Sequence, residues 1–172
     1  MKRFGVAPLD GYHPEIGILL AALLESTREY RRYLEGVSEQ AITYQSRPGG
    51  HSIGGLLLHM ADVELYWVLQ IGAGKRIPKN LLPKYACDQY AANWPTPPAM
   101  PLADYLVLLD QVRGITLATA KTFHPETLII RKSWKAELNH RWILAHVIAH
   151  DSYHGGQAVL LCDLFGALGK AE

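Results

Sequence analysis

A chain of 172 residues, 49% of them hydrophobic, carries enough apolar side chain to enclose a core, and residues 1–172 are expected to form a single domain. Seventeen Lys and Arg against sixteen Asp and Glu leave a net charge of +1 with no block of like charge, which argues against a nucleic-acid partner. Two distant cysteines, Cys87 and Cys162, an N-terminus without an apolar signal core and the absence of any long uninterrupted apolar run favour a reduced, cytoplasmic protein with no membrane partner.

Pro14 suits a first helical turn, and Ile16, Leu19, Leu20, Leu23, Leu24, Thr27, Tyr30 and Leu34 then recur at helical spacing, so helix one is predicted to run to about Glu35. The stretch EGVSEQAITYQSRPGG breaks that pattern. Ser52 can cap a second helix whose apolar face holds Ile53, Leu56, Leu57, Met60, Val63, Trp67 and Ile71, with Gly72 and Gly74 ending it. Residues 73–101 are rich in proline and aromatics and give no single regular element, beyond a short helix near Asp88 to Ala92; a connection this long is often functional. Helix three is expected from Leu102 to about Phe123, with Tyr105, Leu106, Leu109, Val112 and Ile115 inward. Residues 124–138 form a connection in which TLIIRKSW makes a short extended piece. Asn139 can cap helix four, which reaches about Leu168 before Gly169 stops it. Four amphipathic helices with two long connections predict an all-α fold, a four-helix bundle with a long irregular link between helices two and three.

The chemistry concentrates in HVIAHDSYHGGQ, where His146, His150 and His154 stand at four-residue intervals. On a helix they form one slowly turning stripe, and any adjacent pair converges well enough to share a metal. All three do not, because His146 and His154 lie ~12 Å apart along the axis. One pair must be chosen, and a further ligand must come from elsewhere. His59, flanked by Leu56 and Met60 inside helix two, is the leading candidate. Alone it reads as a hydrogen-bonded core histidine, but beside the stripe it reads as a third ligand. Three imidazoles with an open position describe a catalytic rather than a structural divalent site. Zinc is the default metal, and nickel, iron and manganese accept the same donors. His13, His51, His124 and His140 fall at element ends or in loops and are expected to be structural or solvated. Cys162, among leucines, is expected in the core.

His59, Glu64 and Trp67 on helix two, followed by His146, His150, His154, Gly156 and Gln157 on the last helix, resemble the two motifs of the DinB/YfiT-like superfamily of small metal-binding helical bundles. The resemblance covers most of the chain in element order and length. It implies that His59, His150 and His154 bind a divalent metal, with His146 a supporting residue one turn back. It also implies a homodimer and an activity in which the metal activates a low-molecular-weight thiol toward a small-molecule substrate. The long 73–101 segment departs from the simplest family form, and its prolines and aromatics are positioned to shape a pocket. Tyr66, Trp67, Tyr85, Tyr90 and Trp94 are candidates to line it, and Asp62 and Glu64 to orient His59. Gly155 and Gly156 remove bulk after His154 and suggest that substrate arrives near Gly155 and Gln157.

Two other functions compete. His150-Asp151-Ser152-Tyr153-His154 has the form HDxxH, close to the protease signature HExxH, which points to a metal-dependent hydrolase if Asp151 can reach a metal-bound water. The other is a non-enzymatic, stress-related metal-binding bundle. A di-iron site is excluded because Glu137-Leu-Asn-His140 is the only Glu-x-x-His present and it straddles a helix start.

Overall fold

The structure is a computed structural model that describes residues 5–81 and 91–166. Its long helices are α1 (Pro14–Leu34), α3 (Ile53–Glu64), α4 (Leu102–Ala120) and α5 (His140–Leu164), with a one-turn α2 (Glu39–Thr43) after α1. Helix starts follow local chemistry: Pro14 opens α1, Ser52 Oγ accepts from the Gly55 amide at the head of α3, and Asn139 Oδ1 accepts from the Trp142 amide at the head of α5. The turn α2 was not expected. Its cap is Ser38, which accepts from the Ala41 amide, in a stretch whose later glycines and proline suggested only a break.

α3 does not stop at Glu64 but widens into a π-helical segment, Leu65–Gly72, before Gly74 turns the chain with a φ of 65°. The Ala73 amide accordingly bonds back to Val68 O, five residues away. Such widened turns commonly mark functional positions, and their side-chain period gives little warning in sequence. α5 ends at Leu164, four residues before the expected Leu168, and Gly166 after it takes the left-handed conformation with a φ of 75°; Gly169 lies outside the described residues. The all-α expectation also needs one correction. β1 (Leu128–Arg131) pairs antiparallel with β2 (Ala136–Asn139), Leu128 opposite Asn139, around a turn in which Lys135 has a φ of 53°. The predicted extended piece is thus half of a hairpin. Its partner strand was missed because AELN is too short to show an alternating pattern.

The predicted short helix near Asp88 and the aromatics Tyr85 and Tyr90 lie outside the described residues, as does Cys87. Farther along that connection Trp94 is buried, its amide donating to Gly49 O at 2.9 Å, while Gln45 Nε2 donates to Trp94 O and Gly50 O. The segment is therefore stitched to the turn that leads into α3. Among the described residues no helix is long and apolar enough to cross a membrane.

The interior divides into two apolar clusters stacked along the helices. One gathers Leu34, Ile42, Leu56, Leu57, Tyr105 and Cys162; the other gathers Ile16, Leu20, Val68, Phe123, Ile143 and Leu144. Each fully buried leucine or isoleucine contributes on the order of 1.5–3 kcal/mol. Between the clusters every long helix contributes buried polar groups: Thr27 from α1, His59 and Glu64 from α3, Arg113 and Thr116 from α4, and Asp151 and His154 from α5. α1 packs along α5, α5 against α3, and α3 against α4. This polar cross-section is where the candidate site sits.

Candidate metal centre

His59 lies in the middle of α3, and His150 and His154 occupy successive turns of α5 facing it. One ring nitrogen from each lies within 4.8 Å of the others. His59 Nε2 and His150 Nε2 are 3.2 Å apart. Two nitrogens bound at ~2.0–2.1 Å to one tetrahedral ion would be separated by roughly 3.4 Å, so this pair stands close to the spacing of co-ligands. His59 and His154 are buried, with exposures of 4% and 1%.

Gln157 decides what His154 offers. Gln157 Oε1 lies 2.7 Å from His154 Nδ1 and can only accept, so Nδ1 carries the proton and Nε2 keeps its lone pair. That Nε2 is buried and meets no hydrogen-bond partner among the described residues. A buried, unpartnered acceptor is costly, and a cation is the ligand that suits it. The donor set therefore fits a divalent ion.

The rings are also in the form a metal requires. Burial, then repulsion from His154, His59 and His146, pulls the His150 pKa down to about 3, and burial lowers that of His154. Both imidazoles are neutral near neutral pH, as ligation demands. The geometry separates the two possible pairs on α5. His146 lies outside the cluster, its ring centroid 6.4 Å from that of His150, and stacks on Trp142 at 4.9 Å while Trp67 meets it edge-on at 4.7 Å.

Several expected neighbours face elsewhere. Glu64 does not serve His59; it is buried against Arg113, which grips it through two bonds, Nε to Oε1 at 2.8 Å and Nη2 to Oε2 at 3.0 Å. Asp62 is half-buried, with its carboxyl pKa raised by that burial. Asp151, the base that a hydrolase would need, points toward α1. Ser26 Oγ donates to its Oδ2 at 2.9 Å, Thr27 Oγ1 donates at 3.1 Å, and Arg113 Nη2 lies 3.6 Å from its Oδ1. The resemblance to HExxH ends there, because this carboxylate is already engaged by α1 and Arg113.

The space predicted beside Gly155 is filled. A Cβ at that position would stand 2.4 Å from Tyr30 Cδ1, so the missing side chain admits the Tyr30 ring and not a substrate. Beside Gly156 the space is open, since an added Cβ there would meet nothing within 4 Å, and further room lies beyond Gln157, in a cleft of about 240 Å³ lined by Arg47, His51, Gln157, Leu160, Leu161 and Leu164, among others. Trp94 stands between this cleft and the centre, its ring 4.2 Å from that of His51 and 5.3 Å from that of His59. Tyr66 and Trp67 join Trp134 of the hairpin in a separate aromatic group around His146.

Arg113 is the buried functional group that gave no signal in sequence. An arginine inside an amphipathic pattern resembles any surface arginine until its partners are known. The remaining histidines behave as expected of element ends. His13 caps α1, and His140 stacks on Phe123 at 3.8 Å while its Nε2 bonds Gly72 O. Cys162 is buried in the core and its thiol pKa is raised by that burial.

Comparison with curated proteins finds no match. Residues 18–165, which span both histidine-bearing helices, match the family model for mycothiol-S-transferases. That span, together with the DinB/YfiT-like motifs at His59 and at His150 to Gln157, establishes that the chain belongs to the mycothiol-S-transferase family.

Proposed function

We propose that this protein is a metal-dependent transferase that joins a low-molecular-weight thiol, mycothiol in the first instance, to a small electrophile. The observation that carries this reading is the convergence of three buried or half-buried ring nitrogens, from His59, His150 and His154, within 4.8 Å. His59, His150 and His154 would hold a divalent ion, which as a Lewis acid would keep a thiol in its reactive thiolate form near neutral pH. Zinc is the proposed metal, with nickel, iron and manganese compatible with the same donors.

The chain's own residues supply the rest. Gln157 holds the His154 ring in the tautomer whose Nε2 faces the centre. Trp94 and Met60, both 3% exposed, keep bulk water from His59. The cleft beyond Gln157, lined by Arg47, His51, Leu160, Leu161 and Leu164, is where an exogenous molecule would dock, with Trp94 between it and His59. In the transfer a sulfur–carbon bond forms, the carbon–leaving-group bond breaks with its electron pair going to the leaving group, and the thiol proton passes to solvent. A hydrolase is disfavoured because Asp151 is committed to Ser26, Thr27 and Arg113. The proposal extends to a single four-helix-bundle domain, a cytoplasmic location and a homodimer.

Elemental analysis of protein purified without chelator or metal-affinity tag tests the centre, with about one divalent ion per chain expected. Turnover of mycothiol with a panel of alkylating electrophiles, stopped by chelator and restored by zinc, is the expected activity. Absence of any transition metal after reconstitution, or turnover indifferent to chelator, would overturn the reading.

A further inference from the structure

Five of the buried polar groups in the central cross-section are not histidines: Thr27, Glu64, Arg113, Thr116 and Asp151. Arg113 comes from α4, a helix that contributes nothing to the metal centre, yet its guanidinium contacts all three other long helices. It forks onto Glu64 of α3 at 2.8 and 3.0 Å, donates through Nη1 to Thr27 Oγ1 at 3.0 Å and Leu23 O at 3.3 Å on α1, and lies 3.6 Å from Asp151 of α5. Arg113, Glu64 and Asp151 are 8%, 3% and 4% exposed.

Such a network is an expensive way to fill a core. Two carboxylates share one guanidinium, all three desolvated, and apolar side chains of similar volume commonly stabilise a fold as well or better. What apolar packing does not supply is direction. Hydrophobic contact is non-directional, so helices can slide or rotate a little at small cost, whereas a bidentate fork fixes both distance and angle.

The helices locked in this way carry the histidines. Glu64 is five residues beyond His59 and ends the α-helical part of α3, immediately before the π-helical turn begins. Asp151 stands between His150 and His154. The three imidazoles belong to two helices far apart in the chain, so no short connection fixes their relative placement, while a working centre tolerates errors of only about 0.5 Å and 10–20°.

We propose that Arg113 is a positioning residue for the three-histidine centre, its guanidinium bridging Glu64 of α3 and Asp151 of α5 so that His59 meets His150 and His154 in ligating geometry. This rests on the metal-binding reading of those histidines. It assigns a role to the acidic residue of the helix-two motif: Glu64 acts on His59 by setting where α3 stands, through Arg113.

Two variants test it. Arg113→Lys keeps the charge but loses the fork. The triple variant Glu64→Leu/Arg113→Met/Asp151→Asn removes every charge of the network and leaves no ion unpaired. Each is measured for helix content and urea unfolding, for zinc affinity by competition with a chromophoric chelator, and for the visible bands of the cobalt-loaded protein. The expected triple variant folds with an unfolding midpoint at or near that of the parent, while zinc affinity falls about 10- to 100-fold and the cobalt bands change, with Arg113→Lys showing a smaller loss in the same direction. A folded triple variant whose zinc affinity stays within about twofold of the parent, with unaltered cobalt bands, would overturn the proposal and leave the network a packing device. Should the triple variant fail to fold, Arg113→Lys decides by the same two readouts. Failure of the parent protein to bind zinc or cobalt at all is a different result: it removes the metal reading itself, and the proposal with it.

Discussion

On α5, His150 and His154 face α3, while Asp151, between them in sequence, faces α1 and Arg113. The histidine cluster and the ion network thus lie in one cross-section of the molecule, on neighbouring faces of the same helix. In the network the carboxylates meet hydroxyls and a guanidinium, so its polar groups are satisfied from within the chain. In the cluster three imidazoles crowd together, and His154 Nε2 is left without a hydrogen-bond partner among the described residues. The difference teaches where a ligand is expected: a buried polar group satisfied internally holds structure, while one left as a lone pair waits for something from outside.

The most direct break of this contrast is to remove a ligand. His59→Ala and His154→Ala are each expected to cost more zinc affinity than the roughly 10- to 100-fold typical of losing a supporting partner, while His146→Ala falls within or below that range. Competition with a chelator measures this, and a reversed ranking would move the centre to the upper pair. In the ion network, Arg113→Ala strands two buried carboxylates and is expected to lower stability by about 3–5 kcal/mol in urea unfolding. A loss below 1 kcal/mol would mean that the network is hydrated and weak.

Gln157→Leu sharpens the contrast by leaving the His154 tautomer free. An affinity loss of about 10- to 100-fold is expected without a comparable loss of stability, and an unchanged affinity would show that the Gln157 bond is incidental. Gly155→Ala places a methyl group against the Tyr30 ring and should destabilise by about 1–3 kcal/mol. Unaltered stability would mean that the α1–α5 contact yields easily.

The two regions should also titrate in opposite senses in the metal-free protein. His150 has a folded pKa near 3, below the unfolded value near 6.5, so the unfolded chain binds the extra proton between those values and stability falls as pH falls through that window. Asp151, raised to about 6 by burial, which outweighs Arg113, runs the other way: the folded chain binds the proton between about 6 and 3.8, and stability falls as pH rises through that range. His150→Phe should therefore reduce acid destabilisation by up to about one proton in the slope of stability against pH, and Asp151→Asn should increase it. Unfolding curves across pH 4–7 check both signs, and identical slopes in the two variants would refute the assignment.

The sequence by itself determined the histidine stripe, its partner on helix two, and the starts of three helices. Those features are local: four-residue spacing puts side chains on one face of any helix, and Pro14, Ser52 and Asn139 act on their own backbones. Only the tertiary structure decided that His150 and His154 rather than His146 approach His59, that Tyr30 fills the gap left by Gly155, and that Glu64 and Asp151 turn away from the histidines toward an arginine far along the chain. The π-helical turn after Glu64 and the second strand of the hairpin belong with these. The physical reason is common to all of them: a buried charge or a close ring contact is tolerable only when its partner is in place, and partners separated by tens of residues leave no mark on either segment until the helices pack.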